Sequence, residues 1–181
     1  MPPPVFPKAY LITFATYGTR LPGNPKGWVD RRENQFGTSF PTARKCLETK
    51  METDMRYPPY ELDALGRPIV LAAIQEACAY RGWVLEAAHV RTKHSHCAIG
   101  AQANPEFVLD TLKSYASRKL NRAGFEPRRT KRWARHGSTK YLWSEANVEG
   151  AIQYVVEEQG EPMAVFSTKS GKRQNTKSEL D

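Results

Sequence analysis

Two strand-like segments, "WVLEAAHVR" (Trp83 to Arg91) and "SHCAIGAQ" (Ser95 to Gln102), are joined by a tight polar turn at Thr92 and Lys93, with His94 leading into the second. A connection that short joins antiparallel neighbours, because parallel strands need a crossover of a dozen or more residues. The two segments therefore predict a β-hairpin. Helical patterns flank it on both sides. Before it, Ile69, Ala73, Ala77 and Tyr80 recur at helical spacing in "RPIVLAAIQEACAYRGW", which starts after Asp63 or Gly66 and stops at Gly82. After it, "PEFVLDTLKSYASRKLNRAG" has proline at its start, glycine at its end, and Phe107, Val108, Leu112 and Leu120 on one stripe.

Further strands and a third helix complete the order. "YLITFATYGT" (Tyr10 to Thr19) is rich in β-branched and aromatic residues and predicts the first strand. "RWARHGSTKYLW" reads as an irregular loop leading into a short strand at Lys140 to Trp143. Ser144 caps a third helix, "SEANVEGAIQYVVEEQG", where Trp143 and Val148 have the spacing of a hydrophobic staple. Strand, helix, strand, strand, helix, strand, helix is the split βαβ pattern. The expectation is an α+β, ferredoxin/RRM-like antiparallel sheet with helices on one face, plus a C-terminal helix carrying Tyr154.

A chain of 181 residues suits one domain with a proper core, expected over residues 1–166. Residues 20–66 form an irregular, turn-rich insertion around a short helix near Thr42 to Met55, and long insertions are often functional. The tail, residues 167–181, is polar, lacks apolar periodicity and is expected to be disordered. No apolar run nears the roughly 18 residues needed to span a bilayer, and the proline-rich N-terminus lacks the features of a signal peptide. A soluble, cytoplasmic protein is the expectation. Cys46, Cys78 and Cys97 are too few and too scattered for a disulfide framework or zinc knuckle, and are expected to be reduced.

The formal charge of +8 is unevenly distributed. From Lys113 to Lys140 ten basic residues face one acid, Glu126, a net of +9 that leaves the rest of the chain near −1. Such a zone points to a polyanion partner, since phosphate contacts gain from counterion release. Tyr115, Phe125, Trp133, Tyr141 and Trp143 interleave with it and could stack on bases. The alternative is a solvated basic face over core aromatics.

Two histidines, His94 and His96, stand two apart on the second hairpin strand. Residues so spaced project to one face roughly 6.5 to 7 Å apart, which permits one metal ion between them without requiring it. The alternative is a solvent-facing strand whose inward residues are Cys97 and Ile99. His89 adds nothing obvious, because its parity assigns it to the opposite face if the strand is regular. On the last helix, Val148, Ala151, Ile152 and Val155 define the packed stripe, and Tyr154 falls about 120° from its centre. Glu158 lies about 40° from Tyr154 around the helix, so phenol and carboxylate project together. Gln159 lies about 140° away on an ideal helix, although Gly160 distorts the last turn. A half-buried packing tyrosine is the alternative reading of Tyr154.

With these residues in view, the chain resembles the single-tyrosine HUH transposases, including the REP-associated tyrosine transposases. "AYLITFATYGTRLPG", "TKHSHCAIGA", "RHGSTKYLW" and "AIQYVVEEQG" carry the resemblance, which covers about Tyr10 to Gly160. It implies that His94 and His96 bind a divalent metal, Mg²⁺ or Mn²⁺, and that Tyr154 is the nucleophile. Members usually have a hydrophobic residue between the histidines, where this chain has Ser95. They often carry a glutamine four residues after the tyrosine as a third ligand. Here that position is Glu158, taken as ligand first, with Gln159 as the alternative.

The implied chemistry is metal-dependent nicking and strand transfer of single-stranded DNA through a 5′-phosphotyrosine intermediate, with no nucleotide cofactor. Lys113, Arg118, Lys119, Arg122, Arg132 and Arg135 would hold the backbone of single-stranded or hairpin DNA. His136 is a loop histidine suited to phosphate contact or local packing. Tyr115 is the competing nucleophile, disfavoured because Lys119 occupies the position one turn on. Two other functions stay open: a catalytically weak nucleic-acid-binding module of the same fold, and a metallo-phosphoesterase using water. Both monomer and homodimer are compatible with the sequence.

Overall fold

The computed structural model describes residues 5–19, 21, 44–126 and 131–168. Residues 22–28 of the "LPGNPKGW" turn, Arg128, Arg129 and the tail beyond Thr168 lie outside the described residues. The elements are β1 (Ala9–Thr16), α1 (Lys45–Thr53), α2 (Gly66–Arg81), β2 (Val84–Val90), β3 (His94–Gly100), α3 (Pro105–Arg122), β4 (Trp133–Leu142), α4 (Glu145–Glu157) and β5 (Ala164–Ser167). The strands form one sheet in the order β4-β1-β3-β2-β5, with every neighbour antiparallel. Without β5 this is the split βαβ arrangement that the order of periodicities predicts.

The alternation of the strands divides the packing between two faces. Tyr10, Ile12, Phe14, Cys97 and Ile99 face α2 and α3 in the larger core, whereas Ala9, Ala87 and Ala98 pack with Val148, Ile152 and Val155 of α4 in the smaller one. α4 therefore covers the opposite face from α2 and α3. The small alanines let it lie close to the sheet.

The helix ends are set by local chemistry. Asp63 Oδ1 accepts from the N–H groups of Leu65 and Gly66 at the start of α2, and Gly82 ends that helix in the left-handed region at φ 68°. Asn104 and Ser144 accept backbone N–H groups at the starts of α3 and α4. Trp143 departs from the staple expectation: it is 54% exposed, and its ring stacks on Tyr141.

Two strands differ from the sequence expectation. β4 runs ten residues from Trp133 rather than four. It is an edge strand, largely exposed on both faces, so it lacks the alternation that marks a half-buried strand. Its ladder with β1 is broken between Phe14 and Thr16, and there Lys113 Nζ donates to the carbonyls of Ala134 and His136. β5 was not anticipated; its four residues are held by pairing with β2. Among the described residues, no helix is long and apolar enough to cross a membrane.

Candidate functional site

His94 and His96 project from β3 onto the α4 face, since Cys97 and Ile99 fill the opposite core. Their ring centroids are 4.8 Å apart in an edge-on arrangement. The turn before them is pinned: Thr16 donates from its N–H and its hydroxyl to the Lys93 carbonyl, and the Leu62 N–H donates to Thr92. The histidine pair thus begins at a fixed point.

α4 brings Tyr154 to the same place. Its ring meets the His96 ring edge-on, with centroids 5.6 Å apart, in a single chain. His96 is 5% exposed, while His94 and Tyr154 are half-buried. The grouping thus shields one imidazole and leaves a second imidazole and a phenol partly open to solvent. Tyr115 is not part of this grouping. It belongs to α3, behind the sheet, and lies against Tyr80 and Arg118.

Thr13 completes the immediate surroundings. It pairs with His96 across β1 and β3 and with Ser138 across β1 and β4, so the three side chains share one row on this face. Its Oγ1 is hydrogen-bonded to His96 Nδ1 at 2.8 Å. That contact orients the imidazole and turns Nε2 away, the arrangement typical of a metal-ligating histidine held by an outer partner. Sequence reading missed Thr13. Only the register of β1 on β3 identifies it.

His89 corrects the parity argument. It is the cross-strand partner of His96, so it lies on the same face as the pair, because parity cannot be carried through a turn. It is fully buried, and it serves structure. The Met163 N–H donates to Nε2 at 3.2 Å, which leaves Nδ1–H to donate to the Val155 carbonyl at 3.1 Å. Burial, with a smaller contribution from Arg91, pulls its pKa below the ordinary 6.5 despite the Val155 bond. A neutral His89 therefore ties the end of α4, and the segment after it, to the sheet. Arg91 adds a hydrogen bond to the Glu161 carbonyl.

The third-ligand candidates sit just beyond the helix. α4 ends at Glu157, so Glu158 is its C-cap rather than part of a continuing turn, and it is exposed. Among the described residues no three His, Cys, Asp or Glu side chains gather as a metal-binding group, so Glu158 does not join the histidines here. Gln159 behaves differently: its amide nitrogen donates to the Tyr154 carbonyl at 3.1 Å, which keeps the amide beside the tyrosine's backbone. The two imidazoles, with ring centroids 4.8 Å apart, present nitrogen donors of the kind that divalent ions accept.

The predicted DNA-binding cations divide into three groups. Lys113 is buried under β4 on two carbonyls, and burial lowers its pKa against the pull of Asp110 and Glu106. Arg132 is likewise buried and donates to the carbonyls of Phe125 and Glu126. Both hold the fold together. Arg118, Lys119 and Arg122 are on α3, behind the sheet. The Lys119 hydrogen bond and charge, with Arg122 and Arg118 contributing, hold the Glu76 carboxyl below its usual range. Of these six, Arg135 alone is an exposed residue of β4.

No protein-family model matches the chain, and no curated protein matches it. Among solved structures it is similar to a REP-associated tyrosine transposase bound to a REP hairpin, at 11% identity and a TM-score of 0.46, covering 85% of this chain and 67% of that one.

Proposed function

We propose that the chain nicks and rejoins single-stranded DNA through a covalent 5′-phosphotyrosine at Tyr154. The observation that carries this reading is the edge-on contact of Tyr154 with His96, beside His94, within one chain. Edge-on contact is also how aromatic rings pack, but a half-buried phenol beside an imidazole pair has the placement that a nucleophile next to a ligand pair requires.

In this reading His94 and His96 hold a divalent ion, Mg²⁺ or Mn²⁺, with Gln159 preferred over Glu158 as third ligand because its amide is tethered to the Tyr154 backbone. A divalent ion held there would supply Lewis-acid stabilisation of charge on the phosphoryl oxygens. Thr13 keeps the His96 ring in its coordinating orientation. The Tyr154 oxygen attacks phosphorus as the phenol gives up its proton. The bond from phosphorus to the 3′ oxygen breaks, and that oxygen leaves as a 3′-hydroxyl. The phosphotyrosine ester retains most of the energy of the broken bond, so another 3′-hydroxyl can reverse the attack without ATP.

The test is incubation of the protein with a hairpin oligonucleotide bearing a single-stranded extension, in Mn²⁺, followed by denaturing electrophoresis. A covalent protein–DNA adduct lost in Tyr154→Phe supports the proposal. An adduct that survives Tyr154→Phe and disappears in Tyr115→Phe overturns the choice of nucleophile. Cleavage without an adduct points to water as nucleophile. Binding without cleavage points to the nucleic-acid-binding module.

A further inference from the structure

Tyr141 and Trp143 form a stacked pair that the fold leaves about half open to solvent. Their rings are 6.0 Å apart and only 15° from parallel, and they remain 46% and 54% exposed. Tyr141 is braced from behind by an edge-on contact with buried Tyr10, whose hydroxyl is fixed on the Ala103 carbonyl. An aromatic stack held rigid yet open to solvent gives up apolar burial, and π-faces so placed suit a flat aromatic ligand.

The strand bearing this pair is basic. From Lys131 to Ser144 the chain has no acidic residue, and Arg135 and Lys140 are exposed along β4. Two carboxylates border the strand: Glu145 pairs with Lys8 at 2.6 Å, and Glu106 accepts from Thr139 of β4 itself at 3.5 Å. β4 is also the sheet edge, with no strand beyond it among the described residues. Ser138 of β4 shares a row with Thr13 and His96. Ser138 is therefore two strand spacings, roughly 10 Å, from His96, whereas Tyr141, in register with Tyr10, turns to the α2–α3 face, so a strand lying on the stack crosses the β4 edge to reach the histidines.

We propose that the rim of β4 from Arg135 to Trp143 is a track for the single-stranded segment of the DNA that reaches Tyr154. In this track Arg135 and Lys140 contact phosphates, and the Tyr141–Trp143 stack receives bases. The inference rests on the reading of Tyr154 as a DNA-joining nucleophile, and it adds where the strand lies. Positive charge selects a polyanion over an apolar protein partner. Exposed aromatic faces favour unpaired bases over a duplex, whose bases are already stacked.

The test is fluorescence anisotropy with a labelled oligothymidine of about 12 nucleotides, within the usual range for such surfaces. Trp143→Leu is expected to weaken binding about tenfold, and Trp143→Phe, which restores a ring, to recover most of the loss. Arg135→Ala combined with Lys140→Ala is expected to flatten the slope of log affinity against log salt by about 1.4, or roughly 0.7 per lost phosphate contact. Thermal melts establish that each variant is folded. Unchanged oligothymidine affinity in folded Trp143→Leu overturns the proposal. So does a dimer that Trp143→Leu dissociates while DNA affinity stays constant, since the edge would then belong to a second copy. If wild-type protein forms no adduct but binding still depends on Trp143, the track stands and the nicking reading fails.

Discussion

Replacing Thr13 with valine removes one oxygen atom from the candidate site. Valine keeps the β-branched shape that suits the middle of β1, so the ladder to β3 and β4 has no reason to shift. What goes is the 2.8 Å hydrogen bond to His96 Nδ1, in a ring that is 5% exposed. An imidazole nitrogen left without its hydrogen-bond partner in such a place costs about 1–3 kcal/mol. For a chain of this length each kcal/mol is worth roughly 2–4 °C, so the metal-free variant should melt a few degrees lower. The larger effect is on metal affinity. Loss of the outer partner of a ligating histidine costs roughly 10- to 100-fold, or about 1.4–2.7 kcal/mol. Isothermal titration with Mn²⁺, beside the same titration of His96→Ala, measures it directly. Weaker binding in Thr13→Val, short of the loss in His96→Ala, is the expected result. Equal Mn²⁺ affinity in wild type and Thr13→Val would show that Thr13 is an ordinary strand residue and that His96 needs no orienting partner.

Three further outcomes can be checked independently. A Cβ at Gly137 would stand 2.5 Å from the Thr13 carbonyl and 3.0 Å from a Leu109 methyl, so Gly137→Ala should cost about 1–3 kcal/mol. Its melting temperature should fall accordingly, and no change would mean that β4 gives way freely. Burial pushes the Cys78 thiol up to about 12 and raises Cys97 further from reactivity, while Cys46 is exposed. Ellman's reagent should therefore label one thiol of the native protein quickly, and rapid labelling of two would contradict the packing. His89 has a folded pKa below its ordinary 6.5, so as pH falls below that value the unfolded chain takes up a proton that the folded chain refuses. Its contribution to stability is complete above 6.5 and declines below it. The melting temperature of His89→Gln should thus fall less than that of wild type between pH 7 and pH 5, and parallel curves would refute the assignment.

The sheet and its three main helices were legible because their residues obey simple periods. Ile69, Ala73 and Ala77 mark α2, and the hairpin of β2 and β3 follows from a two-residue turn. β4 was obscured by its position, since an edge strand open on both faces shows no alternation. β5 is four half-buried residues that only pairing with β2 makes a strand. For the site, sequence spacing put His94 with His96, and helical phase put Tyr154 at the helix edge. Helical phase failed one residue past the helix end: Glu158 is an exposed cap, and Gln159 turns back onto Tyr154. Thr13 and His89 could not be found from the chain alone, because their roles follow from cross-strand register. Net charge likewise could not separate Lys113 and Arg132, buried on carbonyls, from Arg135, which is open to a ligand.

The most direct test of the account is the mass of the peptide that becomes linked to DNA. After reaction with a single-stranded substrate in Mn²⁺, nuclease trimming and proteolysis, the account predicts a 5′-nucleotide on the peptide containing Tyr154, and none from protein carrying His94→Ala and His96→Ala. A nucleotide on any other residue, or the same adduct formed without either histidine, would contradict it.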